Sequence, residues 1–282
     1  MPAPAPTRVS DASAPGATPA WTDQDLARDP HQVQDKARRV EAMFAAIAPS
    51  YDLNNRLHSL GRDQAWRRAA VAAATLKPGD HVLDVACGTG DLALAFAHAL
   101  QRGRARRGWP APVAGQVVGL DFTYPMLQIA ARKSDRLAQA DAAAGNVFRW
   151  INGDAMNLPL PDASVDVVSI AFGIRNVTDP AAAARQFHRV LRPGGRVIVL
   201  EFSLPRNALL RGLYNFYFRH IMPRTAALIA RDRSGAYRYL PRSVNTFLGR
   251  QQMIDLLQQA GFREVTATPL TFGVAVVYRG VR

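Results

Sequence analysis

The chain has 282 residues, 48% of them hydrophobic, and 35 Lys and Arg against 22 Asp and Glu give it a formal charge of +13. That length and apolar content support a full globular core and argue against a disordered chain, and no apolar run is long enough to span a bilayer. The single cysteine, Cys87, excludes an internal disulfide and a cysteine-based zinc site, and the 6 histidines lack ligand spacing, so no metal is expected.

The start, up to residue 30, is rich in Pro, Ala and Ser and reads as a disordered tail. It lacks the apolar stretch of a secretory signal and is nearly Arg-free, unlike a presequence, so a cytoplasmic location is expected. A helix is predicted from His31 to Ala48, closed by Pro49, with Val33, Ala37, Val40, Phe44 and Ile47 at helical spacing. A second runs from Arg62 to Ala74, stopped by Lys77-Pro78-Gly79. Strands are predicted at His81–Ala86, Gln116–Leu120, Val147–Ile151, Val165–Ile170 and Arg196–Phe202, with helices at Leu92–Leu100, Pro125–Leu137 and Pro180–Val190 between them. Arg192-Pro193-Gly194-Gly195 reads as a helix stop. Short apolar runs alternating with helices specify βαβ units and a doubly wound α/β sheet. A helix at Arg250–Ala260 then leads into a closing pair of strands, Glu264–Thr268 and Val274–Tyr278, which can make one strand antiparallel to the rest.

Two stretches hold much of the positive charge: a run of Arg102, Arg104, Arg106 and Arg107 inside a polar segment, 101–115, read as a basic surface insertion, and the region between Arg206 and Arg250. Charge of this size fits nucleic acid, an anionic membrane surface or an Arg-rich composition alone. Neither stretch interleaves basic and aromatic residues as RNA-binding motifs do, and no nucleic-acid partner is expected.

Val85-Ala86-Cys87-Gly88-Thr89-Gly90-Asp91 follows the first strand and opens a helix, the place where an open α/β sheet binds ligands. Gly88 and Gly90 allow a tight turn and a close backbone approach. The run Gly88 to Ala93 also fits a dinucleotide fingerprint. Asp84 before the glycines and Asp91 after them favour a cationic ligand over a pyrophosphate, and S-adenosylmethionine, with its sulfonium and ammonium groups, suits that acidity. For Asp91 alone, an acid complementing a helix dipole remains an alternative. Asp121, ending the second strand, can accept ribose hydroxyls of either nucleoside cofactor. Asp154, in Asn152-Gly153-Asp154-Ala155, can bond an adenine amino group, or simply form a turn. Met126 reads as half core and half adenine wall. Cys87 has no neighbouring histidine and reads as a small side chain packed under the turn.

The sequence closely resembles the ubiquinone/menaquinone biosynthesis C-methyltransferase family from about Val40 to Gly280. The resemblance is carried by Met43-Phe44 to Ala48 with Tyr51-Asp52, the Val82–Asp91 run, Phe172-Gly173-Ile174-Arg175-Asn176-Val177, Leu191 to Arg196, Leu200-Glu201-Phe202-Ser203 and Tyr237-Arg238-Tyr239-Leu240. It implies a Rossmann-like methyltransferase sheet, mostly parallel with one antiparallel strand and helices on both faces, in a single domain over 31–282. It also implies methyl transfer from S-adenosylmethionine to a ring carbon of a polyprenylated benzoquinol or naphthoquinol. The cofactor positions carried over are Thr89, Asp121, Asp154 and Ala155. Asp154 stands where relatives often have Asn, and Ala171 where a Ser is common, so one hydroxyl contact is missing.

An arginine is a poor base. Arg175 is therefore expected to stabilise a phenolate or orient a water, assisted by Asn176, with Tyr51 capping the pocket; the alternative for Arg175 is a structural ion pair. The segment 204–248, with its aromatic stretch Leu209–Ile229 interrupted at Pro223, is expected to form a lid or substrate-binding tunnel for an isoprenoid tail, its arginines facing anionic lipid at a peripheral membrane site. A quinone-biosynthetic complex or a homodimer is a further possible assembly. The rival readings are a methyltransferase for RNA or another small phenol, a non-catalytic cofactor-binding scaffold, and a nicotinamide enzyme.

Overall fold

Val82-Leu83-Asp84-Val85 is buried at all four positions, as a strand covered on both faces must be. This β1 (Val82–Val85) is the centre of a seven-stranded sheet in a computed structural model that describes residues 20–27, 29–107, 116–140, 148–222, 224–225 and 234–282. The other strands are β2 (Val117–Asp121), β3 (Phe148–Asn152), β4 (Val165–Ala171), β5 (Leu191–Phe202), β6 (Arg263–Leu270) and β7 (Ala275–Val281), in the order β3-β2-β1-β4-β5-β7-β6. The β1–β2, β1–β4, β2–β3 and β4–β5 pairs are parallel, and β7 runs antiparallel to both β5 and β6. The α/β sheet with one reversed strand is as expected.

Alternation along the strands divides the core. Leu83, Val85, Ile170 and Val199 pack with Phe187 of α7 (Pro180–Val190) and Leu257 of α10 (Arg250–Gln259). Val82, Val167 and Leu200 pack on the other face with Trp66 of α4 (Arg62–Ala73) and Phe96 of α5 (Asp91–Arg107). A third cluster joins Val40 and Met43 of α2 (Lys36–Ile47) to Met126 of α6 (Tyr124–Ala140), Tyr214 of α8 (Ala208–Phe216) and Tyr239 of α9 (Ala236–Thr246).

Several expectations are corrected. The stretch up to residue 30 is not a tail throughout: Trp21 is fully buried and stacks on Tyr239 at 4.6 Å, and α1 (Asp23–Ala27) follows it. Residues 1–19 lie outside the described residues. The helix expected to end at Ala48 continues through a 3-10 turn holding Pro49 into α3 (Tyr51–His58), because proline is tolerated at the first turn of a helix. Residues 101–107 of the expected insertion are the end of α5, and 108–115 lie outside the described residues. β5 begins at Leu191, which pairs with Val165, and after an irregularity the ladder resumes at Arg196 and Val167, so Arg192–Gly195 belongs to the strand. Within 204–248 the described residues include α8, a π-helical turn (Tyr217–Ile221) and α9; Pro223 and residues 226–233 lie outside the described residues.

Candidate active site

The strand order reverses at β1 and β4, so the loops after β1, β2 and β4 open a crevice at the carboxyl end of the sheet. Three cavities meet there. One of about 200 Å³ is lined by Gly88, Asp121, Met126, Asp154, Ala155, Ala171 and Asn176. A small one, about 20 Å³, is lined by Asp84, Gly88, Thr89, Asp91 and Ala171. The largest, about 340 Å³, is an apolar chamber walled by Met43, Trp66, Phe202, Phe218, Tyr237 and Tyr239, with Arg175 in its lining. Phe44, Tyr51 and Phe172 line both the largest and the 200 Å³ cavity, and Tyr51 also reaches the small one.

Asp121 is 5% exposed; its Oδ2 accepts the Gly88 N–H and its Oδ1 the Thr123 N–H, each at 2.8 Å. Burial pushes its carboxyl up, opposed by those amides. It therefore fixes the glycine turn while each oxygen keeps a lone pair for a ligand hydroxyl. Asp84 is 1% exposed; Ser169 Oγ donates to its Oδ1 at 2.7 Å, and Oδ2 has no partner. Burial raises its carboxyl to about 7, against the Ser169 bond and the charge of Arg67. Among the described residues no cation reaches Asp84 within ion-pair distance, although the charge of Arg67 is felt there, and a ligand ammonium fits its free Oδ2.

Gly90 lines none of the three cavities. A Cβ there would lie 2.8 Å from Trp150 Cη2 and 3.0 Å from Ala130 Cβ, so its bareness, and its φ of +83°, serve packing. Gly88, at φ +55°, has only Tyr51 within 4 Å of the place a Cβ would take, and it lines two of the cavities. Cys87 is half-buried at the turn and lines the small cavity, and burial pushes its thiol well up.

Thr89 is tied to the N-terminal segment: its Oγ1 donates to Asp52 Oδ1 at 2.5 Å and accepts from Lys133 Nζ at 3.1 Å. Asp91 Oδ1 takes Lys133 Nζ at 2.6 Å; although burial works the other way, Arg67 and Lys133 hold its carboxyl below the usual range. Asp154 caps its own turn through the Met156 N–H at 2.9 Å and lines the 200 Å³ cavity. Met126 is buried in the third core cluster and lines the same cavity.

Arg175 makes the ion pair that was its alternative reading. Its Nη1 donates to Glu201 Oε1 at 2.7 Å and to the Phe172 carbonyl at 2.6 Å, and its guanidinium lies 5.4 Å from the Phe202 ring centroid. Its Nε, also buried, has no partner, which leaves a donor for a ligand. Asn176 accepts from Tyr239 Oη at 3.0 Å and lines the 200 Å³ cavity, on the other side of Phe172 from the apolar chamber.

The sequence pattern did not assign Lys36, Asp52, Arg67, Lys133 or Glu201. Lys36, 1% exposed, reaches from α2 to the carbonyls of Arg175 at 3.0 Å and Val177 at 2.7 Å, and so holds the Phe172–Val177 loop; burial lowers its ammonium to about 8. Glu201 lies inside one of the motifs quoted above, an acid in an otherwise apolar strand, which is the signal that could have found it.

An open α/β sheet with a reversed β7, an acid ending β2 and an unpaired acid inside β1 defines a class I methyltransferase fold. Solved structures share it: a SAM-dependent methyltransferase of Aquifex aeolicus has TM-score 0.55 at 15% identity over 82% of this chain and 97% of that one. One of Thermotoga maritima has TM-score 0.52 at 21% identity, over 85% and 97%. The chain matches the ubiE/COQ5 methyltransferase family over residues 32–282 and belongs to it, as an S-adenosylmethionine-dependent methyltransferase. Similar curated proteins include the demethylmenaquinone methyltransferases of Deinococcus radiodurans, 41% identical over 88% of this chain and 94% of the relative, and of Thermus thermophilus, 44% over 85% and 100%. The ubiquinone/menaquinone biosynthesis C-methyltransferase UbiE of Syntrophotalea carbinolica is 42% identical over 85% and 92%.

Proposed function

We propose that the protein transfers the methyl group of S-adenosylmethionine to a ring carbon of a polyprenylated benzoquinol or naphthoquinol. The observation that carries this reading is the apolar chamber of about 340 Å³ that shares Phe44, Tyr51 and Phe172 with the acid-edged cavity beside it. Relatives named for demethylmenaquinone and ubiquinone/menaquinone methylation support the acceptor class.

The acidic cavities fit the donor: Asp84 for the ammonium, Asp121 for the ribose hydroxyls, and Met126, Asp154 and Ala155 around the adenine, with Gly88, Thr89 and Ala171 shaping the walls. The donor supplies an electrophilic methyl on a sulfonium. The chain must bring the acceptor carbon to that methyl in line and exclude water. In this reading the acceptor ring lies at the junction, against the aromatic wall that the two cavities share, and Tyr51 caps it. Arg175 stabilises the phenolate whose electron density is pushed to the ring carbon, and its pair with Glu201 keeps it oriented. Asn176, fixed by Tyr239, holds the loop and orients a water that takes the proton.

The chamber fits an isoprenoid tail, since most of its wall surface is apolar, although Arg62, Asp63, Arg67 and Arg175 also line it. Each isoprene unit moved from water into the chamber adds apolar burial at about 25 cal/mol per Å². In a series of reduced acceptors with no tail, one isoprene and three, kcat/KM is expected to rise at least about tenfold, mostly through KM. A flat series would remove the chamber from the account.

We also propose a peripheral membrane site at the chamber's rim. Leu60, 87% exposed, lines the chamber; Phe272, 82% exposed, follows its lining residue Thr271, and Leu57 on α3 and Leu213 and Phe216 on α8 are exposed next in sequence to the lining residues His58 and Tyr217 or one turn before them. Exposed apolar side chains among basic residues suit an anionic bilayer. Leu213→Glu with Phe216→Glu is expected to weaken co-sedimentation with phosphatidylglycerol vesicles several-fold at low salt while leaving turnover of a tail-less acceptor intact. Equal binding by both proteins would place the membrane contact elsewhere.

A further inference from the structure

Arg67, whose charge already bears on Asp84 and Asp91, has no direct role assigned to it above. It projects from α4, is 7% exposed, and lines both the small cavity and the apolar chamber. Its Nη1 donates to Asp63 Oδ2 at 2.8 Å, and its guanidinium lies 5.9 Å from the Phe172 ring centroid. Its Nε is buried and has no partner.

Two side chains of opposite sign thus line the small cavity, each with a partner on another atom (Asp63 on Arg67, Ser169 on Asp84) and one buried atom, Arg67 Nε and Asp84 Oδ2, without a hydrogen bond. Buried polar atoms are nearly always hydrogen-bonded, and charged ones left alone are costly. The charge of Arg67 reaches Asp84 but the two are not hydrogen-bonded to each other, so a group carrying both signs can satisfy both free atoms at once. An α-amino acid end is such a group. Two other cations lie nearby and neither lines this cavity: Lys133 is engaged by Asp52 at 2.5 Å, Asp91 at 2.6 Å and Thr89 at 3.1 Å, and Arg56 lies 3.5 Å from Asp63.

We infer that Arg67 binds the carboxylate of the donor's methionine end while Asp84 takes its ammonium, so that the pair selects a zwitterion. This rests on the reading of S-adenosylmethionine as donor and names a binding residue for it. Position fits as well: Arg67 sits where the small cavity adjoins the chamber, so a filled carboxylate site would set how far the sulfonium reaches toward the acceptor.

The test is a set of dissociation constants for S-adenosylmethionine, its decarboxylated analogue and 5′-methylthioadenosine, measured calorimetrically on wild type, Arg67→Gln, Arg67→Lys and Asp84→Asn. A charge-assisted hydrogen bond of this kind corresponds to about 10- to 100-fold in affinity. Wild type should prefer S-adenosylmethionine over the decarboxylated analogue by that factor. Arg67→Gln should abolish the preference while leaving 5′-methylthioadenosine within about twofold, which also shows that the nucleoside cavity has kept its fold; Arg67→Lys should retain part of it. Asp84→Asn should weaken both amine-bearing ligands alike. A wild type indifferent to the carboxylate, or an Arg67→Gln protein that loses both amine-bearing ligands equally, overturns the assignment and returns Arg67 to the acceptor or to packing. If wild type binds none of the three ligands, the donor reading itself fails.

Discussion

Arg175→Met is expected to lower kcat at least about 100-fold and to destabilise the protein by about 3–5 kcal/mol at pH 8, with much of the stability loss relieved at pH 5. The carboxylate of Glu201 is 2% exposed, and Arg175 is the cation that faces it. With the guanidinium gone, Glu201 keeps the Phe202 N–H at 2.7 Å and the Arg175 backbone N–H at 3.4 Å, too little to hold a buried charge. Burial already pushes the Glu201 carboxyl up, and Arg175 is the largest influence opposing it. Removing Arg175 raises it further. A carboxyl whose folded-state pKa lies above its unfolded value binds more protons when folded, so its stability is present at low pH and lost as pH rises through the folded value. Hence the variant's deficit grows from pH 5 to pH 8. The double variant Arg175→Met, Glu201→Gln should recover most of the stability, measured by urea unfolding, and none of the turnover. Recovery of both would make Arg175 a structural residue only.

The second large effect is at Asp121. Asp121→Ala is expected to weaken binding of S-adenosylmethionine about 100-fold or more, because it removes the ribose acceptor and releases the Gly88 and Thr123 amides together. Unlike changes at Arg67, this loss should be as large for 5′-methylthioadenosine, which keeps the ribose but lacks the amino-acid end. Titration calorimetry on the two ligands reads the comparison directly. If the affinity for 5′-methylthioadenosine were unchanged, the ribose would have to lie elsewhere.

Much of this arrangement is legible in the chain. The central strands are buried on both faces and read as continuous apolar runs, so β1, β2, β4 and the core of β5 emerge from the sequence to within a residue or so. The acids at strand ends are legible for a related reason: Asp84 and Asp121 interrupt or close such runs, at the edge where an open sheet binds ligands. The N-terminal segment is another matter. Its composition is that of a tail, and Trp21 is buried only because Tyr239, far along the chain, supplies a face for it. α9 carries Pro241 inside it, a residue that ordinarily signals an end to a helix. Lys36, Arg67 and Lys133 belong to helices with no local pattern that sets them apart from surface cations, and their roles come from distant partners. Gly90 shows the reverse problem: a glycine in a ligand-binding motif whose space is filled by Trp150.

The central claim is methyl transfer to a quinol ring carbon. Purified protein should be incubated with methyl-labelled S-adenosylmethionine and with short-tailed demethyl benzoquinol and naphthoquinol, each kept reduced, and the product's methyl position read by NMR. A new carbon-bound ring methyl on at least one acceptor is the predicted result. Donor binding with no ring methylation of either, or a methyl found on oxygen, would contradict the account.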